Sequence, residues 1–468
     1  MSKNNSEVVD QVHHTDSNVG SKGDKQELKR VLKTRDLVIF GIIFISPNSA
    51  QSLFGGLTYT SQGHGVLAVV VGLLAMIFTA FSYGKMASVI PKAGSTYSYA
   101  THSLNPSLGF MAGWAILLDY LIFPMLVYKL SSTFAMELLP FFPLWLMLFL
   151  FIIPMTFFNY FGMKLTSHLN LVMLIIKLLS VLLFVGFAIY ALVNGVGTGK
   201  IISLDGIYNS ETFSVNALVA GSSIAVLSYI GFDAITALTE DTNVSGKTVG
   251  RATIITCLIS AFLIGIQVYF ATLIKPDFNG FQNIDTAFYE VAIAAGGSGL
   301  AAATTLMLIV TGAATALAGQ ASGSRVLFGM GRDKVLPVFL SYLHPKHKTP
   351  VYSIFILAIT GYIGALLIPV SAFFLIVVFG ALIGFILVNI SVIVEFFIKR
   401  KERKGIYFFS NLLSPLTGTA VCVYILFGMP FIGKIVGVSW LLIGFLYLIL
   451  KTRVFKKQVT LSDINENM

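Results

Sequence analysis

Long runs of apolar residues, separated by short polar breaks, extend from Leu37 to Leu450. A helix needs about 20 apolar residues to cross a bilayer, and most of these runs reach that length. The runs and the Gly, Pro and charged residues between them predict twelve membrane helices, at residues 37–60, 66–90, 103–132, 144–161, 167–193, 216–238, 253–274, 301–321, 351–369, 372–398, 412–431 and 435–450. The expected fold class is therefore an all-α membrane protein.

The polar segments divide the chain around these helices. Residues 1–36 are polar and charged and lack the apolar core of a cleavable signal peptide, so we expect a disordered tail. The first ten helices form a core over residues 37–398, a loop covers 399–411, the last two helices cover 412–450, and a second tail covers 451–468. Most of the 31 Lys and Arg residues fall in the tails and in loops on the same side, which places both termini in the cytoplasm.

Composition agrees with this assignment and narrows the function. Hydrophobic residues make up 56% of the 468-residue chain and charged residues only 11%, whereas soluble proteins are about one-quarter charged. The formal net charge of +10 comes from the basic loops and tails, so we expect contact with anionic lipids at a cell membrane and no nucleic-acid binding. Cys257 and Cys422 lie inside predicted helices, and they indicate neither a disulfide framework nor a metal site.

Two of the predicted helices contain residues that interrupt a helix. Pro47 in the first helix removes a backbone donor and clashes with the preceding turn, which predicts a break near Ser46. In the sixth helix Gly231 and Asp233 lie well inside an apolar span, and a second break is expected there. Broken helices at the first position of each of two five-helix halves are typical of inverted-repeat transporters, whose freed backbone groups bind the solute at mid-membrane. The glycine-rich run 295–299 falls between predicted helices and is interpreted as an ordinary turn.

Several motifs make this sequence similar to a known family. They are Pro91 to Tyr99, Gly109 to Trp114, Leu118 to Tyr120, Gly231 to Ala234, Met330 to Pro337 and His344 to Pro350. In these segments the chain resembles the amino acid, polyamine and organocation superfamily, and within it the bacterial putrescine importers. The resemblance implies a LeuT-like inverted repeat of five plus five helices with broken helices 1 and 6. At the cytoplasmic end of a helix, the stretch at Arg332 and Asp333 is expected to have a structural or gating role.

The sequence departs from the superfamily in its first helix. Amino-acid carriers of this group have a Gly-Ser-Gly type of stretch there, whose bare amides hold the substrate carboxylate. This chain has Ser46, Pro47, Asn48 and Ser49 instead, and proline offers no N–H. We therefore expect a diamine rather than an ordinary amino acid, although the hydroxyl groups of Ser46 and Ser49 are alternative donors. Ser46, Asn48 and Ser49 are predicted to contact the substrate.

Two acidic residues lie deep in predicted helices, Asp119 in the third and Asp233 in the sixth. A buried, unpaired carboxylate is costly in a membrane, so each needs a partner. For a diamine, each carboxylate would receive one ammonium group, with aromatic faces adding cation–π attraction. The predicted substrate contacts are therefore Asp119 and Asp233, with Gly231 at the break and the aromatic residues Tyr97, Tyr120, Tyr229 and Phe232. The alternative is structural: Asp233 caps the broken helix, and Asp119 pairs with a group of a neighbouring helix or with Lys129.

Lys177 lies in the middle of the fifth predicted helix, where its apolar neighbours leave the ammonium group no easy route to water. Burial favours the neutral amine, so this side chain is expected to gain and lose a proton. Its position resembles the one at which proton-coupled carriers of the superfamily hold a lysine in place of a sodium ion, which implies proton coupling. A fixed ion pair with an acid of another helix is the alternative. The resemblance also places Thr311 or Thr315 of the eighth helix at this site, without indicating which.

The function predicted from these residues is secondary active transport. We expect proton-coupled import of a polyamine such as putrescine, with an amino-acid permease or an amino acid/amine exchanger as the alternative. A membrane enzyme is disfavoured because the sequence shows no metal-ligand spacing, catalytic triad or phosphate loop, and no cofactor is expected. A channel is disfavoured because two breaks and a central lysine indicate a gated site. The expected partners are the amine or amino-acid substrate, protons and membrane lipids.

Overall fold

The computed structural model describes residues 31–92, 95–138, 141–282, 284, 287–429 and 431–455. Within those ranges the chain is helical almost throughout, and its β-structure is limited to isolated bridges. Nine of the described helices are long and apolar enough to cross a membrane, and a bent pair makes ten if the two helices are one span; two further apolar helices are shorter. The chain is therefore an all-α, multi-pass membrane protein, while the number of twelve crossings and the inverted repeat stay predictions.

The first predicted helix is divided into α1 (Thr34–Ile45) and α2 (Ser49–Thr60), which are bent by 43°. Ser46 adopts a left-handed conformation with φ of 58°, and Pro47 has no N–H to continue the helical hydrogen bonds. The Ser49 N–H donates to the Ser46 carbonyl and closes a tight turn. Such a break leaves carbonyl groups at the end of α1 that need donors from elsewhere.

Five helices follow before the second break, namely α3 (Gly65–Val89), α4 (Thr96–Ser103), α5 (Pro106–Leu138), α6 (Leu144–Phe161) and α7 (Met163–Val193). The third predicted helix, at 103–132, is thus preceded by the separate short helix α4. Pro106 begins α5 because a proline at the first helical position needs no N–H. The Asn105 side chain accepts the Leu108 N–H at 2.8 Å and satisfies one of the free amides at that end.

The sixth predicted helix is interrupted after α8 (Val215–Leu227) and resumes only as the short α9 (Ala234–Ala237). Between them the chain makes tight turns, with hydrogen bonds from the Ser228 and Tyr229 amides to carbonyls three residues earlier. Gly231 has φ of 120°, a conformation that glycine adopts without strain. A Cβ at this position would lie 2.0 Å from the Phe44 ring. Glycine therefore lets this segment approach the end of α1 closely.

The next two helices are α10 (Gly246–Ile274) and α11 (Ala287–Arg332). Gly296 and Gly297 inside α11 have non-helical backbone angles, so two helices meet at a kink there. This confirms an interruption within the run 295–299, although it is a kink at two residues and not a longer loop. Gly297 has φ of 72°, which glycine adopts without strain. The eighth predicted helix, at 301–321, begins close to this kink and is longer at its C-terminal end.

The chain ends with α12 (Val351–Leu367), α13 (Val370–Val392), the short α14 (Ile406–Phe408), α15 (Ser414–Gly428) and α16 (Phe431–Phe455). The predicted loop 399–411 thus contains α14, and a π-helical turn, Phe409–Leu413, leads into α15. Trp114 of α5 and Trp440 of α16 stack with ring centroids 4.7 Å apart. Each indole N–H donates to the backbone carbonyl of the other tryptophan, at 2.8 and 2.7 Å. This reciprocal pair attaches α16 to the core.

The helix packing places the two breaks in the interior. Helix α3 packs along α10, α5 packs against α11 and α13, and α1 is enclosed by α7, α9, α10 and α11. By contrast α16 exposes large apolar side chains such as Leu442, Phe445 and Leu446. Such a surface suits lipid rather than water.

The two tails fall largely outside the described residues, which leave out 1–30 and 456–468. Residues 31–36, assigned to the disordered tail, are ordered, so the prediction was wrong for this part. The Val31 and Leu32 amides donate to the Asp241 carbonyl at 2.8 and 3.0 Å, and the Asn243 amide donates to the Leu32 carbonyl. Leu32 is also buried, because these backbone pairs hold it against the segment after α9. We call this side, where α1 begins, the tail side.

Candidate substrate and proton site

Lys177 of α7 is fully buried and donates three hydrogen bonds. The acceptors are the Ile43 carbonyl at 2.7 Å, the Ser46 hydroxyl at 2.9 Å and the Thr315 hydroxyl at 2.6 Å. Ile43 and Ser46 lie at the end of α1, and Thr315 lies on α11. The side chain therefore joins three helices at the first break, and no carboxylate among the described residues forms an ion pair with it.

Both candidate threonines of α11 take part in this site, each with a different partner. Thr315 accepts from Lys177, whereas the Thr311 hydroxyl accepts from the Asn48 side-chain amide at 2.8 Å. The Asn48 side-chain oxygen in turn accepts from the Ser46 hydroxyl at 2.9 Å. Asn48 therefore ties the middle of the break to α11, and its side chain is already satisfied.

A cluster of buried amides lies beside the break and was not predicted from the sequence. Gln267 of α10 donates to the Pro47 carbonyl at 2.9 Å, and its side-chain oxygen accepts from Gln51 at 3.1 Å. Gln51 also donates to the hydroxyl of Ser180, which lies one turn beyond Lys177 on α7. Two glutamines inside apolar spans were the available signal, because polar residues at that depth need partners.

A cavity of about 110 Å³ opens next to the break. Its walls are mostly apolar, with Phe123, Leu126 and Val377 among them, and its polar groups are hydroxyls. The hydroxyl-bearing residues are Ser46, Ser49, Ser52, Ser131 and Thr315. The Ser49 hydroxyl is buried and has no hydrogen-bond partner in the described part of the chain. The cavity thus offers hydroxyl groups to a small solute, beside the lysine site.

The two predicted acids lie outside the walls of this cavity. Asp233 accepts a hydrogen bond from the Tyr120 hydroxyl at 2.8 Å, and Asp119 is near enough to Asp233 for the two charges to interact. The ring of Phe44 stacks on Phe123 of the cavity wall at 5.1 Å and meets Tyr120 edge-on at 6.5 Å. Phe44 therefore contacts both the cavity wall and the tyrosine that is bonded to Asp233.

Among the described residues, neither Asp119 nor Asp233 forms an ion pair with a basic residue. Asp119 is 1% exposed, and neither of its oxygens has a hydrogen-bond partner there. Lys129, the alternative partner, donates to the Ile368 carbonyl.

The predicted aromatic residues are spread over different places. Tyr229 donates its hydroxyl to the Val69 carbonyl at 2.8 Å, which is a helix-packing contact. Phe232 packs against Phe385, with ring centroids 5.2 Å apart. Tyr97 lies on α4 near Asp333, and burial, with Asp333 as a smaller cause, raises the pKa of its phenol. Of the predicted aromatic set, Tyr120 alone donates a hydrogen bond to Asp119 or Asp233 in the described residues.

Two ion pairs lie on the tail side, between α11 and the segment after α9. Arg325 of α11 donates to Asp241 at 3.0 Å, and the two side chains are only 1% and 3% exposed. Two turns farther along α11, the Arg332 guanidinium contacts both oxygens of Glu240 at 2.8 and 2.9 Å. These contacts hold the segment after the second break against α11. The structural or gating role of the Arg332 stretch stays a prediction.

Comparison with known proteins gives one consistent answer. A family model described as amino acid permease matches residues 51–460. The chain is 30% identical to the low-affinity putrescine importer PlaP of Escherichia coli (strain K12), over 94% of this chain and 98% of that protein. It is 26% identical to the branched-chain amino acid permease BcaP of Bacillus subtilis (strain 168), over 94% of this chain and 96% of that protein. It is 24% identical to the methylthioribose transporter of the same organism, over 93% of this chain and 96% of that protein. The chain therefore belongs to the amino acid permease family, within the amino acid, polyamine and organocation superfamily.

Proposed function

We propose that this protein is a proton-coupled secondary active transporter that imports a small amine-bearing solute, with a polyamine such as putrescine as the best candidate. The observation that carries the proposal is Lys177, a buried lysine bonded to the broken end of α1 and to α11. Transporters of this architecture move solute by shifting helices around broken segments. A proton on Lys177 therefore acts on the part of the protein that has to move.

The preference for an amine rests on the polar groups at the break. The amide N–H groups of Ser46 and Ser49 already donate to carbonyls of Ile42 and Ser46, and Pro47 has no amide hydrogen. The break thus presents fewer free donors for a substrate carboxylate. The acids Asp119 and Asp233 suit an ammonium group instead, and one relative of this chain is named a putrescine importer.

We also propose that both termini lie in the cytoplasm of a cell expressing the protein at its cell membrane. The basic residues of the tails and of the loop at Lys399 to Lys404 support this orientation under the positive-inside rule. Contact of these residues with anionic lipid headgroups is part of the same proposal. The cavity then extends from the first break toward the outer half that contains α2.

The test is uptake of radiolabelled putrescine into proteoliposomes with and without an inward proton gradient. Lys177→Ala is expected to bind putrescine and to lose accumulation driven by the gradient. Lys129→Ala is the matched control, because Lys129 is also a lysine of a membrane helix bonded to a backbone carbonyl; it should keep the response to pH. Gradient-driven accumulation by Lys177→Ala at the level of the unmodified protein would refute the assignment.

An amino-acid permease or exchanger is the second candidate. It is favoured by the cavity walls, which are apolar with hydroxyl groups and contain neither acid, and by the similarity to a branched-chain amino acid permease. A competition panel of diamines and neutral amino acids at two pH values separates the candidates. Inhibition by leucine or valine but not by putrescine would replace the polyamine with an amino acid.

A further inference from the structure

Buried side-chain oxygens without a hydrogen-bond partner in the described residues lie beside Asp233. They are both carboxylate oxygens of Asp119. The Asp233 carboxylate has backbone amides of Gly231 and Ala234 close to it, and the Tyr99 hydroxyl has Thr236 close to it. Tyr99 and Asp119 are each close enough to Asp233 to interact with its charge. Buried polar groups are normally hydrogen-bonded, so two unsatisfied acceptors in one place indicate a missing donor. We call Tyr99, Asp119, Tyr120 and Asp233 the acid chamber.

Aromatic rings enclose the acid chamber. Tyr83 contacts Tyr99 edge-on at 6.1 Å, Phe232 at 5.7 Å and Phe385 at 5.9 Å, and Tyr83 also lies within electrostatic range of both acids. No Lys, Arg or His of the described residues forms an ion pair with either acid. The surroundings are therefore negative and aromatic, which is the chemistry that attracts an organic cation.

We propose that the acid chamber is a binding site for a single primary ammonium group of the transported solute, held by Asp119 and Asp233 together. An ammonium group has three donors and no acceptor, and both oxygens of Asp119 are unsatisfied acceptors within electrostatic range of Asp233. Tyr120 already donates to Asp233 and orients that carboxylate. This inference rests on the proposed function and differs from the sequence prediction, in which each acid receives its own ammonium group.

Phe44 contacts residues of both the cavity and the chamber. It stacks on Phe123 of the cavity wall and meets Tyr120 of the chamber edge-on. Phe44 belongs to α1 and lies against Gly231, so residues of both breaks lie next to the chamber.

The experiment measures competition between 1-butylamine, which has one ammonium group, and labelled putrescine for the purified protein in proteoliposomes. Asp119→Asn and Asp233→Asn are each expected to raise the half-inhibitory concentration of 1-butylamine by about ten- to a hundredfold, the effect of losing a hydrogen bond to a charged group. The double variant should have a half-inhibitory concentration close to that of the weaker-binding single variant, because the effects of two residues that bind the same ligand group are not additive. If only one of the two substitutions affects 1-butylamine, or if their effects multiply, each acid has its own role and the shared site is refuted.

A pair of tyrosine variants gives a test that does not alter charge. Tyr99→Phe is expected to weaken 1-butylamine binding severalfold. Tyr128→Phe is the matched control, because Tyr128 is also a buried tyrosine but lies outside the chamber. Equal effects of the two substitutions would refute a role of Tyr99 in the site.

Three further outcomes separate this inference from the proposed function. Uptake of amines by the unmodified protein with 1-butylamine binding unchanged in both Asp variants would refute the chamber and leave amine transport intact. Binding that follows sodium concentration and is lost in the Asp variants, with no competition from 1-butylamine, would assign the chamber to a metal cation instead. An unmodified protein that takes up no amine would refute the proposed function and the chamber together.

Discussion

Asp241→Asn is expected to destabilise the tail side strongly, because it leaves the buried guanidinium group of Arg325 without its anion. The two side chains are 3.0 Å apart and only 1% and 3% exposed. Removing one partner of a buried ion pair costs about 3–5 kcal/mol. The hydrogen bonds of Val31 and Leu32 go to the backbone carbonyl of residue 241, so they remain in the variant.

The expected change in melting temperature follows from the size of the chain. With an unfolding entropy of about 2.1 cal/mol/K per residue, the 468 residues correspond to about 1 kcal/mol/K. A loss of about 3–5 kcal/mol thus lowers the melting temperature by about 3–5 °C. The measurement is thermal unfolding of the purified protein in detergent, followed by intrinsic fluorescence.

Two further variants complete this experiment. In the double variant Asp241→Asn with Arg325→Met, the stranded charge is gone, so much of the lost stability should return. Arg35→Gln is the control, because Arg35 is 78% exposed and 3.9 Å from Asp36, and an exposed pair contributes little. A melting temperature of Asp241→Asn equal to that of Arg35→Gln would refute the reasoning.

Two more predictions concern the breaks. Gly231→Ala puts a side chain into a left-handed conformation and against the Phe44 ring. We expect this substitution to lower the free energy of unfolding by about 2–4 kcal/mol and to reduce putrescine uptake at least about tenfold. Gly186→Ala, with open space around it, should leave uptake unchanged, and equal uptake by the two variants would contradict this account. Gln267→Leu leaves the Pro47 carbonyl without its donor. Each polar group left unsatisfied should lower the free energy of unfolding by about 1–3 kcal/mol, and an unaltered melting temperature in the detergent assay would contradict this prediction.

The breaks could be located from the sequence because single residues carry their physical cause. A proline cannot donate a hydrogen bond, and a glycine inside an apolar span permits φ values that other residues avoid. The chain leaves the helical conformation at Ser46 and again before Gly231, at the positions these residues indicate. Lys177 was identifiable for a similar reason, since an unpaired lysine at mid-helix requires acceptors.

The partners of these residues could not be read from the sequence, because they depend on how helices turn relative to one another. Thr311 and Thr315 are one turn apart on α11, and only the packing shows that Thr315 accepts from Lys177. The contact between Gln267 and the Pro47 carbonyl joins residues 220 positions apart. Likewise, two acids in different helices predict a cationic ligand, but whether they share it depends on the distance between them.

The number of donors on Lys177 explains how a proton would be sensed at the first break. The protonated side chain has three N–H donors, and the structure gives it three acceptors. After loss of the proton only two donors remain beside one lone pair. The Ile43 carbonyl can only accept, so the change falls on a hydroxyl group that must turn and donate to the amine.

The hydroxyl group that turns is that of Ser46 or of Thr315, and in turning it loses the hydrogen bond that it now donates. If the Ser46 hydroxyl turns, it abandons the Asn48 side chain, to which it now donates at 2.9 Å. If the Thr315 hydroxyl turns, it abandons the Ile43 carbonyl at 3.0 Å or the Thr311 carbonyl of its own helix at 3.3 Å. Loss of the Asn48 or the Ile43 hydrogen bond removes a contact that holds the broken end of α1. Under the proposed proton coupling, deprotonation of Lys177 would loosen the segment that has to move for solute release.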